Sequence, residues 1–146
     1  MTANRPMWEC PRCGRTFAKQ NQWHSCGSFS VQGHLEHQDP EKVRLFRVFE
    51  RMARACGPIT ISPSKTIIAF KAHTTFAAAR FVRDGLRVGV LLPRRLDHPR
   101  FVKVQTLSPR SHEHVFVIRA PDDLDADVEA WLREAYQVGS RSGRVG

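Results

Sequence analysis

Between Ile59 and Ile118 the apolar residues recur at every second position, a period that a helix cannot bury and a half-covered β-sheet can. Ile68, Phe70 and Ala72 alternate with smaller or polar neighbours, as do Phe76, Ala78 and Val82, and Leu86, Val88, Val90 and Leu92 return along one face. Asp84-Gly85, between the second and third of these runs, is a two-residue hairpin signal. Pro93, Asp97-His98-Pro99 and Ser108-Pro109-Arg110 mark further turns and leave strands at about 101–107 and 113–119. Connections this short have no room for crossover helices, so the stretch reads as an antiparallel meander.

Helices are expected on either side of it. Asp39 and Pro40 are an N-cap and a first helical residue, and Gly57-Pro58 close the segment they open. Within it Leu45, Phe46, Phe49, Met52, Ala53 and Cys56 share one face, while Arg44, Arg47, Arg51 and Arg54 follow one another at intervals of three, four and three on the other. Four like charges that close repel unless an anion or an acidic neighbour compensates, which makes the stripe a candidate phosphate-contacting face as well as a solvated one. A last helix begins after Pro121, with Asp and Glu in its first turns and Leu124, Val128, Trp131, Leu132 and Ala135 along its apolar stripe. Gly139 ends it. The fold class is α+β: a meander sheet flanked by an N-terminal and a C-terminal helix.

The segment WECPRCGRTFAKQNQWHSCG, residues 8–27, follows different rules. Cys10 and Cys13 bracket a two-residue turn and are followed by Gly14, the geometry that points two thiolates at one tetrahedral ion. Twelve residues separate Cys26 from Cys13, the gap to the first histidine in a common zinc finger, with Phe17 and Trp23 at that motif's apolar positions. Ser30, Val31 and Gln32 supply no fourth ligand at its usual spacing, so the template breaks there, and His24, His34 and His37 all lie within reach. In a continuous helix His24 and Cys26 would stand roughly 200° apart, and only a turn or extended end would let them share an ion. A redox dithiol would follow a strand in a βαβ unit, and nothing of that kind precedes Cys10. Bound zinc would contribute roughly 10 to 16 kcal/mol of folding free energy to a segment otherwise too short to hold itself. Trp8, Phe17 and Trp23 then form its miniature core. Cys56 is expected as a core thiol, joining the metal only if the finger folded back on the larger domain.

Residues 27–38 mix Gly, Ser and His without a period and read as a connector. The chain therefore divides into a zinc-finger-like module and connector over 1–38, a basic α+β domain over 39–139 and a flexible basic tail over 140–146. Charge supports a polyanionic partner. The chain carries 23 Lys and Arg against 14 Asp and Glu, a net +9, and residues 39–121 hold sixteen basic side chains against six acidic ones. A surface so biased attracts nucleic acid or an acidic protein surface, with binding that weakens steeply as salt rises. No apolar run approaches a membrane span, and the N-terminus lacks the apolar stretch of a signal peptide, so the expected location is the cytoplasm and no membrane is involved.

Two resemblances sharpen this reading. CPRCGRTF followed by NQWHSC is similar to a short module that fronts small bacterial domains, with the pattern C-P-x-C-G-R-x-F and then N-Q-x-H-x-C. The module's shared histidine falls on His24, which implies the ligand set Cys10, Cys13, His24 and Cys26, with His34 as the substitute for His24. Four protein ligands fill a tetrahedral sphere, so the implied zinc is structural, since catalysis needs an open position. Residues from about 43 to 138, through TIIAFKAHTTFAAARF, LRVGVLLP, HVFVIRAPDDLD and WLREAY, resemble the bacterial domain of unknown function 5655. That resemblance implies a fold and no activity, and the attachment of related domains to predicted transport or restriction-associated proteins leans toward nucleic acid by association.

Catalytic arrangements fare poorly. Lys71 stands where a metal-dependent nuclease places a lysine, yet no acid precedes it in that strand. Ser62, Ser64 or Ser108 with His73, His112 or His114 offers no nucleophile elbow and no ordered base and orienting acid. His112 and His114 flank Glu113 on one side of a strand, the place for a weak metal or anion site or, more commonly, a solvated face. The chain is thus read as a non-enzymatic zinc protein that binds nucleic acid or another polyanion through Arg44, Arg47, Arg51 and Arg54. The alternatives are a zinc-dependent protein-interaction adaptor and an enzyme acting on a small anionic ligand in a pocket lined by Lys71, Arg80 and His114.

Overall fold

The computed structural model describes residues 30–141, together with two short paired strands, β1 (Trp8–Glu9) and β2 (Thr16–Phe17), whose antiparallel register sets Trp8 opposite Phe17. Cys10, Cys13, His24 and Cys26 lie outside the described residues, as does the tail from residue 142 onward.

The connector expected over 27–38 contains a helix, α1 (Val31–Leu35). Ser30 caps it by accepting from the Gly33 N–H at 2.9 Å, and Leu35 is buried in the main core with Val31 packed beside it. One turn has no readable period, so its apolar residues looked like isolated ones. The next helix, α2 (Pro40–Ala55), follows the sequence signals closely. Asp39 accepts from the Glu41 N–H at 3.1 Å, Pro40 occupies the first turn, and the chain turns off at Gly57. Leu45, Phe46, Phe49 and Ala53 are buried, with Met52 and Cys56 half-buried at the edge of the same face.

Six strands follow: β3 (Thr60–Pro63), β4 (Ile68–Lys71), β5 (Thr75–Val82), β6 (Gly85–Leu92), β7 (Lys103–Ser108) and β8 (Ser111–Ile118). All pairings are antiparallel, in the order β3-β4-β5-β6-β8-β7. This corrects the meander in one place, because β8 inserts between β6 and β7 and leaves β7 at the edge. The link over residues 93–102 makes the detour possible. Leu96 and Phe101 pack from it onto the core, and the Leu96 N–H donates to His114 Nε2 on β8 at 2.9 Å. A turn rich in proline reads as a simple reversal, whereas its apolar residues anchor it across a neighbouring strand.

The β5–β6 hairpin also shifts by one residue. Its two-residue loop is Arg83-Asp84, and Val82 pairs with Gly85 as the first residue of β6. Gly85 has φ of 156°, and a Cβ there would land on the Ile118 carbonyl oxygen, so close backbone approach from β8 fixes glycine at this position.

The last helix, α3 (Ala126–Gly139), starts later than Pro121 because a 3₁₀ turn, Pro121–Asp123, comes first. Asp123 Oδ2 accepts from the Arg119 and Ala120 N–H groups there, and Asp125 caps α3 by accepting from Val128 N–H at 3.3 Å. Val128, Trp131, Leu132 and Ala135 are buried, while Leu124 lies half-buried ahead of the helix. The far end is clamped to the sheet, since the Gly139 carbonyl accepts from both the His73 and Thr74 N–H groups at 2.8 Å. A Cβ on Gly139 would approach Phe76 Cβ to 2.9 Å. Both long helices cover one face of the sheet, where Leu86, Val88, Val90 and Leu92 of β6 meet Phe116 and Ile118 of β8. The architecture is α+β, a six-stranded antiparallel sheet with helices at both ends.

Candidate functional site

Arg44, Arg47, Arg51 and Arg54 all project from the exposed side of α2, opposite its buried residues. The acidic neighbour that a crowded stripe requires is Glu50. Its carboxylate receives Arg47 at 2.9 Å through one oxygen and Arg54 at 3.1 Å through the other. Glu50 is the less exposed partner of both bridges, so one carboxylate sits low between two guanidinium groups and holds them in place. The pairs add little to stability at such exposure. Their effect is positional: two arginines are ordered, and among the described residues Arg44 and Arg51 have no ion pair. Arg47, Glu50, Arg51 and Arg54 line a shallow depression. Glu50 follows Arg47 by three positions and precedes Arg54 by four, the helical spacing for such pairs, and that spacing would have identified the clamp in the sequence.

His34 takes no part in the stripe. Its Nε2–H donates to the Ser64 carbonyl at 2.6 Å, which leaves Nδ1 as the one ring nitrogen a metal could use. Cys56 lies at the end of α2, its thiol donating to the Met52 carbonyl at 3.6 Å, and burial pushes that thiol above its ordinary pKa. A thiol held protonated is a poor ligand or nucleophile. Among the described residues no three His, Cys, Asp or Glu side chains gather as a metal group.

The histidines on β8 are on neither a solvated face nor an open site. His114 is fully buried and His112 nearly so. His114 Nδ1–H donates to the His112 carbonyl at 2.9 Å and Nε2 accepts from Leu96 N–H, which fixes the neutral tautomer with both nitrogens used. Burial lowers its pKa below the ordinary histidine value, against the opposing effect of the His112 carbonyl, with the Arg94 and Arg95 charges helping burial. His112 Nε2–H donates to the Pro109 carbonyl, and Nδ1 meets Thr106 Oγ1, which in turn accepts from Arg95. Around His114 an aromatic cluster closes the core: Phe101 is 5.0 Å from its ring and 4.7 Å from Trp131, and Arg100 lies 5.6 Å over Trp131 while its guanidinium also binds Asp125.

The pocket expected from Lys71, Arg80 and His114 does not form. Strand alternation puts His114, opposite Val90, on the helix-covered face and Arg80, two residues from Ala78, on the other. That outer face holds a pair absent from the sequence-based expectations, Arg80 directly opposite Arg87. A hairpin loop at Asp84-Gly85 would have paired Arg87 with Val82 instead. The shift to Arg83-Asp84 is what brings the two arginines together.

Residues 31–139 match the model of a family described as a domain of unknown function, DUF5655. No curated protein and no solved structure matches the chain. None of the described helices is long and apolar enough to cross a membrane.

Proposed function

The chain belongs to the DUF5655 family, and from that premise, which carries no activity, we propose that it binds nucleic acid or another polyanion without catalysis, through the arginines of α2. The observation that supports this reading is the set Arg44, Arg47, Arg51 and Arg54, exposed together, with two of them ordered by one carboxylate. From the first to the last of these, α2 rises about 15 Å, slightly more than the ~12 Å width of a DNA major groove, so the end arginines reach phosphates on opposite sides. Guanidinium groups suit that role because they present paired N–H donors to phosphate oxygens.

Replacing all four arginines by glutamine should weaken binding of a 20-base-pair duplex by more than tenfold near 0.1 M salt. The slope of log K against log salt should become shallower by about 0.9 for every phosphate that the variant no longer neutralises. Fluorescence anisotropy at several salt concentrations measures both. The fold should survive, since all four side chains are exposed and the two ion pairs lost with Glu50 add little to stability. Retention that is unchanged in the variant, or insensitive to salt, would refute the proposal.

The N-terminal module is proposed to hold structural zinc through Cys10, Cys13, His24 and Cys26, with His34 as the substitute for His24. Support comes from the donor set and from the short antiparallel pair β1–β2, which brackets residues 10–15 and with them both cysteines of the first pair. One zinc per chain is expected by elemental analysis, falling to near zero in Cys10→Ser. Equal metal content in wild type and Cys10→Ser would eliminate the site.

A further inference from the structure

We propose that the open face of the sheet carries a nucleotide site, with Arg80 and Arg87 holding the phosphate, Ala78 and Gly89 forming the floor and Glu113 accepting from the base. The proposal takes its ligand class from the nucleic-acid reading, but its location is independent of α2. The first observation is electrostatic. Arg80 and Arg87 are direct cross-strand partners, with Cβ atoms about 5 Å apart, and like charges so placed destabilise a sheet. Among the described residues neither has an ion pair, and the only acid on the six strands is Glu113. A dianionic group between them would remove the repulsion and take paired N–H donors from both sides.

The second observation is shape. In the adjoining row Ala69 of β4, Ala78 of β5 and Gly89 of β6 are consecutive cross-strand neighbours on the same face. Their small side chains leave an open trough of about 100 Å³, walled by Ile67, which is 37% exposed, and by Arg80 and Arg87. A flat apolar floor with one aliphatic wall accepts a planar ring. The third observation sets the polarity at the other end. A Cβ on Gly89 would come within 2.9 Å of Glu113 Oε2, so this carboxylate leans over the floor, and among the described residues it has no ion pair. An ionised carboxylate only accepts, and a polyanion alone would be repelled by it. The matching ligand therefore has a phosphate at one end, a planar ring in the middle and N–H donors at its edge. A nucleotide has all three, and guanine presents two adjacent N–H donors to a carboxylate.

Titration of the full chain with 5′-GMP, 5′-UMP and inorganic phosphate, followed by backbone amide NMR shifts, tests the site. GMP should shift Ala78 and Gly89 and bind more tightly than UMP, a preference that Glu113→Gln should erase. Arg80→Gln and Arg87→Gln should each weaken GMP about tenfold. Gly89→Val should abolish GMP binding while leaving phosphate binding in place. The amide spectrum of this variant shows whether it is folded, as expected because the Cβ added at this position first meets the far end of the Glu113 side chain and valine suits a strand better than glycine. A single-stranded UUGUU pentamer that binds more tightly than GMP identifies a nucleic-acid strand as the source of the nucleotide, and one that binds more weakly identifies a free nucleotide. Absence of shifts at Gly89, GMP affinity unchanged in Gly89→Val, or phosphate binding alone would each overturn the proposal. Duplex binding that persists without GMP binding would sink this site and leave the α2 reading standing, whereas GMP binding that survives loss of the four α2 arginines separates the two.

Discussion

Truncation of Phe70 to alanine is expected to cost about 3 to 5 kcal/mol of unfolding free energy, a large part of the ~5 to 15 kcal/mol that holds a domain of this size. Phe70 is fully buried on β4 and lies opposite Ile61 and Ala77 on the two adjacent strands. Its ring meets Phe49 edge-on at 5.3 Å and Phe46 at 6.1 Å, so one side chain joins α2 to the sheet. Phe46 continues the contact to Phe81 at 6.1 Å. The neighbours cannot close over the gap: Ala77 is too small to fill it, and the strand backbones are fixed by their ladders. Edge-to-face pairing is worth about 0.5 to 1.5 kcal/mol beyond the buried area, and that contribution disappears with the ring. Urea denaturation followed by circular dichroism measures the loss. Phe70→Leu, which keeps most of the volume, should lose under about 2 kcal/mol. A loss below about 1 kcal/mol for the alanine variant would mean that α2 is held to the sheet by other contacts.

Much of this framework was readable in the residue pattern because the signals were local and redundant. Asp39-Pro40 and Gly57-Pro58 each terminate α2 by backbone chemistry that does not depend on the rest of the chain, and its apolar face repeats over four turns. The strands were readable for the same reason, since β6 alternates without interruption from Leu86 to Leu92. What failed was decided by distant contacts. The position of Gly85 follows from the Ile118 carbonyl on β8, and a Gly in a turn-like dipeptide carries no record of that neighbour. The insertion of β8 between β6 and β7 depends on where Leu96 and Phe101 dock, which no period encodes. In α1 the chain completes too few turns for periodicity to exist.

The two arginine groups illustrate the same division. The α2 stripe was legible because it lies within one helix, and so was its clamp in principle, with Glu50 at helical spacing from Arg47 and Arg54. The Arg80–Arg87 pair crosses two strands, and a one-residue error in the hairpin loop hides it. Histidine placement was the least legible. The sequence His112-Glu113-His114 specifies that both rings share a face but not which face, and the polar character of the triplet favoured solvent. The face is set by Phe116 and Ile118 downstream and by the link over residues 93–102, which covers His114 and supplies the N–H that its ring accepts.

That coverage makes His114 the residue through which acid should weaken the domain. Its neutral form is required on both sides, because Leu96 N–H can only donate to Nε2 and the His112 carbonyl can only accept from Nδ1–H. Protonation would turn Nε2 into a second donor facing the Leu96 N–H, and would place a buried charge against the Phe101 ring. Burial holds the folded pKa below that of the unfolded chain, near 6.5 for a free histidine. The unfolded state therefore binds more protons than the folded one below about pH 6.5, so stability is fully present above that value. As pH falls toward the folded pKa the loss approaches about 1.4 kcal/mol per unit from this one group. His114→Leu should flatten that dependence between pH 7.5 and 5. Its stability at pH 7.5 should fall by about 1 to 3 kcal/mol, because the Leu96 N–H loses its acceptor in a buried site. Urea midpoints across the pH range, read beside the imidazole NMR titration, measure both. An identical pH slope in wild type and His114→Leu, or a His114 resonance that titrates at 6.5 or above, would place the acid sensitivity elsewhere.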